Sequence, residues 1–355
     1  MASAMVASSP VSGDDFVVTR PLANSNVGSN LASLAAALWL AQRLDRALIV
    51  DWRGMSQLAD KSLNYFTEYF AFPEEFRGVR VLHAPVAEAT YEKDSAEAGW
   101  PAITEVSQLA RGAPAKLPRY LVLSAYHGPE RLMPEDEIER FAWLRSFYRR
   151  LQPAAGLATE IERWAQQNLD GAFVVGLNVR TGNGQYFAKG MPYYGRVDVS
   201  IFRNETRLLR VLERACHKRA RGLPGDVSGR LRIFYATDSA PMSQLLSRLP
   251  GATTRRSLFP PPGTGDTFCF PADDGQDRRA VRDTIADMFL LARCDALVYN
   301  QSAFNQYARV LTANFSGNLV HVERLYLRYW LGALLSSARA RLGRLTLTIG
   351  SRLPG

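Results

Sequence analysis

Three short stretches of this chain end an apolar run in residues that can bind or stabilise charge. GLNVRTGNG (176–184) passes from apolar residues into Arg180 and then into Gly182, Asn183 and Gly184. A guanidinium where a buried strand stops is costly without an anionic partner. Two glycines close by let backbone N–H groups approach such a partner. A phosphate or pyrophosphate satisfies that pattern. So does a protein carboxylate beside a routine turn, and the spacing leaves both open. YATDSA (235–240) ends in Thr237, Asp238 and Ser239, small polar groups suited to a base, a ribose or a phosphate. Asp238 or Ser239 equally suits the N-cap of a following helix. VYNQSAFNQYAR (298–309) repeats the theme: Asn300 to Ser302 follow an apolar run, with Asn305 shortly after. Ser302 is expected to start a helix, where N–H groups and the dipole together favour anions.

A fourth stretch, NSNVGSN (24–30), holds Gly28 and Asn30 in a first strand-to-helix turn without the full G-x-G-x-x-G spacing. Asp51, ending the next apolar run, resembles the ribose-binding acid of a dinucleotide site, but the missing glycines speak against that reading. No two aspartates stand two residues apart, and His83, His127, His217 and His321 are scattered without ligand spacing. No metal site is therefore expected. G-x-S-x-G and G-x-x-x-x-G-K-[ST] are absent too, so serine hydrolysis and P-loop ATP hydrolysis lose ground.

The elements that must position these residues alternate. FVVTR (16–20), the loop 21–30, the helix-forming 31–44 and ALIVD (47–51) make one βαβ unit. Strands are expected at 80–84 and 119–126, and an amphipathic helix over 134–153 with acids early and arginines late. A helix over 156–169 marks the domain seam. Beyond it come strand 172–179, helix 203–221, strand 230–238, helix 240–248, a Pro/Gly loop at 256–268, helix 278–294, strand 296–300, helix 302–313 and strand 319–323. This is an α/β chain of two doubly wound, Rossmann-like domains, 1–165 and 166–323, with a helical tail over 324–355. Such sheets place ligands at the carboxyl ends of their strands, where Arg180, Asp238 and Asn300 fall.

Composition sets the surroundings. The 355 residues are 47% hydrophobic and 22% charged, with a net charge of +9. Of the 43 basic residues 38 are arginine, the better fork for phosphate and carboxylate. A basic solvated surface, phosphorylated ligands and an anionic membrane face all fit. The charges are spread out and no nucleic-acid motif is present, so no nucleic-acid partner is expected. Cys216, Cys269 and Cys294 have no paired spacing, which suits a reducing compartment. MASAMVASSP (1–10) lacks a basic, apolar leader pattern, and LASLAAALWLA (31–41) is about half of what a bilayer span needs. A cytoplasmic protein is expected. The arginine-rich segment 324–345 either packs back across the seam or makes a peripheral contact with the membrane face.

DWRG (51–54), GLNVRTGNG (176–184), YATDSA (235–240) and DMFLLARCDALVYNQSAFNQYAR (287–309), in this order, resemble the rhizobial nodulation fucosyltransferases of the α1,6-fucosyltransferase family. SLAAA (33–37) followed by AQR (41–43) is similar to their first helix, and the resemblance runs from about residue 16 to 325. It implies a GT-B fold, two Rossmann-like domains facing across a cleft with the acceptor on the N-terminal side. It implies inverting, metal-independent transfer of fucose or a related 6-deoxyhexose from a GDP-sugar, with no cofactor. The acceptor would be an oligosaccharide or glycolipid hydroxyl, with an α1,6 linkage to N-acetylglucosamine as the family pattern. Arg180 then stabilises the departing GDP. Gly28, Asn30, Asn178, Gly182, Asn183, Gly184, Thr237, Asp238, Ser239, Ser302 and Asn305 form the donor site. The chain departs from the family at Asn178, where a histidine is usual, and at Thr181, where the mammalian branch has a second arginine. After the glycine loop, where an acidic residue is usual, stand Gln185, Tyr186 and Phe187. Two other readings stay open: a nucleotide-binding protein of this fold that has lost transfer, and a nucleotide-sugar dehydrogenase.

Overall fold

The computed structural model describes residues 15–21, 27–55, 58–83, 117, 119–123, 132–133, 136–181, 193–194, 197–198, 204–220, 230–259, 275–300, 302, 304–312 and 319–325. In its first half, β1 (Phe16–Thr19), α1 (Val27–Arg43) and β2 (Ala47–Val50) form the expected βαβ unit, with β1 and β2 parallel from Phe16↔Ala47 to Thr19↔Val50. Helix α1 is apolar nearly all round because it is buried nearly all round: from Val27 to Ala41 only Ser29 falls outside the buried set. It starts at Val27 rather than at the residue 31 read from the sequence, so Gly28 and Asn30 are helical.

After β2 the chain enters an aromatic cluster that the sequence reading did not separate from loop. Trp52 is fully buried and packs against Tyr65, Phe66 and Phe70, with ring centroids at 6.3, 5.2 and 6.2 Å. The short helix α2 (Tyr65–Tyr69) is capped by Asn64, whose Oδ1 accepts from the N–H groups of both Phe66 and Trp52. Strand β3 (Phe70–Ala71) follows, then a tight hairpin of β4 (Glu75–Phe76) and β5 (Val79–Leu82). β6 (Tyr120–Leu123) pairs parallel with β1, giving the sheet order β4-β5-β2-β1-β6. Helix α3 (Glu137–Arg150) has Asp136 as N-cap, accepting from the Ile138 and Glu139 N–H groups, and ends in Arg149 and Arg150. β7 (Gln152–Pro153) pairs antiparallel with β3, and α4 (Ala155–Asn168) follows.

The second half is built on β8 (Phe173–Val179), and it too is doubly wound. β9 (Tyr193–Tyr194) and β10 (Val197–Asp198) are a short antiparallel pair, followed by α5 (Glu205–Ala220), β11 (Leu231–Thr237), α6 (Ala240–Leu246) and β12 (Ala252–Thr253). Then come α7 (Gln276–Ala292), β13 (Ala296–Tyr299), α8 (Asn305–Leu311), β14 (Leu319–His321) and a 3-10 turn, Val322–Leu325. The five strands are ordered β12-β11-β8-β13-β14, all parallel, with β8 central. Chain order along this sheet is third, second, first, fourth, fifth, the Rossmann order, whose reversal point lies between β8 and β13.

Contacts divide the chain into residues 1–162 with 264–289, and 163–263 with 290–355. The consecutive division at 165/166 read from the sequence does not include the described part of this segment, 275–289, with the first unit. The reason lies in α7. Asp277 accepts from the Ala59 N–H at 2.8 Å, Arg282 pairs with Glu160, and the Phe289 ring packs 6.2 Å from that of Phe70. All three partners are far away in sequence and of common types. The tail beyond Leu325 lies outside the described residues.

Gly176 on β8 is closely packed within the second unit. A Cβ there would stand 3.0 Å from Cys294 Sγ and Leu297 Cδ1 and 3.1 Å from Leu291 Cδ2. Gly176→Ala is therefore expected to destabilise the protein by about 1–3 kcal/mol, measured as a lower urea midpoint with an unchanged m-value. Burial pushes the Cys216 thiol up to about 12 and shifts that of Cys294 upward as well. Neither then offers a thiolate at neutral pH. Titration of the native protein with a chromogenic disulfide is expected to find at most one fast thiol, and three after unfolding.

Candidate active site

The carboxyl edge of the second sheet gathers the polar residues that the sequence placed after strands. Arg180 follows β8, and its Nε donates to Asp238 Oδ2 at 3.1 Å. Asp238 follows β11 and is wholly buried, while the Arg180 side chain stays 14% exposed. The other carboxylate oxygen, Oδ1, accepts from the Thr181 N–H at 2.8 Å and from Thr181 Oγ1 at 3.2 Å. Of the two partners left open for Arg180, the protein supplies the carboxylate. Asp238 does not cap α6. Ser239 does, accepting from the Met242 N–H at 3.2 Å.

On the far side of β8, Asn300 replaces a strand residue with a side chain. Its Oδ1 accepts from the Arg180 N–H at 3.0 Å and its Nδ2 donates to the Arg180 carbonyl at 2.7 Å. The two bonds extend the β8–β13 pairing one step beyond Tyr299. Asn305 Nδ2 holds the Asn300 carbonyl at 2.7 Å. The Arg180 guanidinium carbon lies 5.5 Å from the centroid of the Phe304 ring, a cation–π distance. Arg180 is thus fixed at its backbone by Asn300, at Nε by Asp238 and over one face by Phe304.

Other predicted residues take different places. Asn178 is buried on β8 in register with Ala236 and Tyr299, and its Nδ2 donates to the Ala236 carbonyl at 3.2 Å. Thr237 is in register with Val179 and so points to the opposite face from Asn178. Asn178 Oδ1, Thr237 Oγ1 and Asn305 Oδ1 are buried acceptors without a hydrogen-bond partner among the described residues. Ser302 does not start a helix. Its Oγ accepts from the Phe304 N–H at 3.2 Å in a turn, and α8 begins at Asn305. Gly28 and Asn30 belong to the first unit, inside α1, where Asn30 Nδ2 lies 3.2 Å from Met55 Sδ. Gly182, Asn183 and Gly184 lie outside the described residues.

Asp51, the acid that a dinucleotide site would put on a ribose, instead holds Arg53 through both oxygens, Oδ1 to Nε at 2.8 Å and Oδ2 to Nη2 at 2.7 Å. This removes the main support for the dehydrogenase reading. His83 stacks on Phe66 and its Nε2 lies 3.2 Å from the Phe72 carbonyl; burial holds its pKa below the usual value. Among the described residues no three His, Cys, Asp or Glu side chains cluster as a metal site, and no helix is long and apolar enough to cross a membrane. The sequence reading named Asn300 only as a strand-end residue and missed its clamp and the part played by Thr181. An asparagine directly after an apolar run, facing an arginine directly after another, was the available signal.

A family model described as Nodulation protein Z (NodZ) matches residues 135–327, more than half of the chain. The Nodulation protein Z of Bradyrhizobium diazoefficiens is 27% identical over 343 residues, covering 88% of this chain and 85% of that protein. That of Sinorhizobium fredii is 26% identical over 328 residues, covering 84% and 94%. Among solved structures, a NodZ alpha-1,6-fucosyltransferase soaked with GDP-fucose superposes with a TM-score of 0.57 at 21% identity, over 84% of this chain and 92% of that one. The fucosyltransferase NodZ from Bradyrhizobium gives the same TM-score at 20% identity over the same shares. The shared fold is the GT-B arrangement of two Rossmann-like units.

Removing Asp238 leaves Arg180 and Thr181 without their common acceptor, whereas removing Ser239 deletes one cap. Asp238→Ala is expected to cost about 3 kcal/mol and Ser239→Ala about 1 kcal/mol, read from urea denaturation. Equal losses would mean that Asp238 does not anchor the loop after β8.

Proposed function

Because this chain belongs to the nodulation protein Z family, we propose that it is an inverting glycosyltransferase that moves fucose, or a related 6-deoxyhexose, from a GDP-sugar to a hydroxyl of an acceptor glycan. The single observation that carries this reading for the chain's own residues is the fixed guanidinium of Arg180 at the point where the strand order of the second sheet reverses. Open parallel sheets bind ligands at that place. The relatives' names supply the reaction class, α1,6 transfer and a GDP-fucose donor.

In such a transfer the acceptor oxygen forms a bond to the sugar's anomeric carbon as the bond to the diphosphate breaks. Negative charge grows on the departing GDP. A guanidinium held in place before the reaction stabilises that charge without having to reorganise. Arg180 takes this role, and its 14% exposed side chain gives a diphosphate access to it. Asp238 sets its orientation at Nε. Gly182, Asn183 and Gly184, on the sequence pattern, are assigned to the phosphates. The proposed transfer needs no metal and no cofactor, which the lack of any D-x-D in the sequence and the arginine's own charge support. The acceptor is an oligosaccharide or a glycolipid with N-acetylglucosamine, and the enzyme works in the cytoplasm.

A second reading has its own observation. The residues after the glycine loop, Gln185, Tyr186 and Phe187, include no carboxylate to take the acceptor proton. A GDP-binding protein without transfer would show a GDP-dependent rise in melting temperature and no turnover on any acceptor.

GDP is expected to raise the melting temperature with EDTA present, and a strict need for Mg²⁺ would sink the metal-free reading. Arg180→Ala and Arg180→Lys are expected to fold and to lose donor hydrolysis or transfer about a hundredfold or more, far more than they lose GDP affinity. Lysine keeps the charge but not the planar fork. Near-normal turnover in Arg180→Ala would rule out the role; unfolding of that variant would make Arg180 a structural partner of Asp238.

A further inference from the structure

Helix α5 carries a feature that the proposed transfer does not use. It buries Leu208, Leu212, Ala215, Cys216 and Ala220 against the second sheet. At 100° per residue these occupy one arc of the helix. The opposite arc presents Arg207, Arg210, Arg214 and Lys218, all exposed. Their spacing of three, four and four residues sets four cations in one row about 16 Å long. Half-buried Val211 and His217 border the row, as do exposed Thr206 and half-buried Glu213, four and three residues from Arg210. Of the helix's acids, Glu213 is half-buried beside the row and pairs with none of Arg210, Arg214 or Lys218 among the described residues, and the Glu205 carboxylate faces Arg248 at 3.4 Å. Among the described residues no carboxylate pairs with Arg210, Arg214 or Lys218.

Nothing in the fold calls for this row. The core needs only the buried arc, and like charges three and four residues apart work against the helix. We infer that the outer face of α5 docks on an anionic lipid bilayer, through the phosphates of its headgroups. Arginine suits phosphate oxygens, and a bilayer offers phosphates in a plane that a straight row can follow. The row holds no aromatic side chain on which a base could stack, as single-stranded nucleic acid requires, and the sequence has no nucleic-acid-binding motif. The row has no large apolar side chain to insert either, so the contact is electrostatic and reversed by salt. The docking row lies on a helix face, whereas Arg180, Asp238 and Asn300 lie at the strand ends, so the two are separable by mutation.

Each cation near such a surface contributes about fivefold to partitioning, and Arg210, Arg214 and Lys218 together about a hundredfold. The full chain is expected to sediment with vesicles containing roughly 30% phosphatidylglycerol at about 0.1 M salt. It should not sediment with pure phosphatidylcholine, and about 0.5 M salt should release it. R210E/R214E/K218E is expected to abolish sedimentation and to leave the GDP-induced melting shift unchanged. If this variant melts early, R210Q/R214Q/K218Q takes its place and is expected to weaken binding about a hundredfold. R80E/R149E/R163E makes the same change in net charge on exposed residues elsewhere and is expected to keep binding. Equal binding to neutral vesicles, retained binding in the α5 variant, or equal loss in the control variant would overturn the proposal. So would duplex DNA stripping the protein from the vesicles at equal phosphate concentration, which would make the row a nucleic-acid surface.

Discussion

A carboxylate with no exposure must be surrounded by donors, and that requirement at Asp238 organises the carboxyl edge of the second sheet. Its two oxygens take the Arg180 Nε–H, the Thr181 N–H and the Thr181 hydroxyl. The loop leaving β8 is thereby tied to the end of β11. Asn300 ties the same loop to β13 through both backbone groups of Arg180. Three strand ends that are far apart in sequence are joined by one ion pair, two hydrogen bonds from Thr181 and one side-chain amide. Breaking such a pair by removing one member leaves a buried charge uncompensated, which is why the arrangement holds more firmly than its small number of bonds suggests.

The same bonds bear on the chemistry. An arginine on a strand end facing water would sample many rotamers, and ordering it around a diphosphate would reduce the net binding energy. Here the Nε edge, the backbone and one ring face are already fixed. The acid lowers the net positive charge at the site, so an anion arriving there would meet a well-oriented fork and a weaker field. That trade favours stabilisation of a charge arriving in one geometry, as on a leaving diphosphate, over indiscriminate attraction of anions.

Much of this was legible in the sequence because the fold is periodic and short-ranged. Apolar runs of strand length alternating with helical spacing gave both parallel sheets, and the rule that ligands sit beyond strand ends pointed to Arg180, Asp238 and Asn300. The failures share a cause. Helix α1 begins at Val27 because burial on all sides outweighs the turn propensity of Asn26, Gly28 and Asn30. Helix α8 begins at Asn305 because Ser302 is spent on a turn. The return of 275–289 to the first unit depends on Asp277 meeting the Ala59 backbone and Phe289 meeting Phe70. Such contacts have no local signature. The partner of Arg180 was undecidable for the same reason: spacing shows that a buried arginine needs an anion, and only the folded chain shows that Asp238 provides one.

Asn178 shows where the two levels meet. Its position on the central strand, two residues before Arg180, follows from the pattern, and the family usually has histidine there. The amide keeps a donor, which goes to the Ala236 carbonyl, and an acceptor, which finds no partner among the described residues. A histidine can reproduce one donor and one acceptor, but it can also become cationic, and an amide cannot. Replacing it with asparagine keeps the hydrogen-bonding valence of the strand and removes a charge that would titrate near neutral pH. The second arginine of the mammalian branch is replaced here by Thr181, whose hydroxyl and N–H both go to Asp238. At both positions the side chain is neutral and is spent on hydrogen bonds at this edge. Among the described residues, Asp238 and the Asn300 amide are what hold the Arg180 guanidinium in place at this edge.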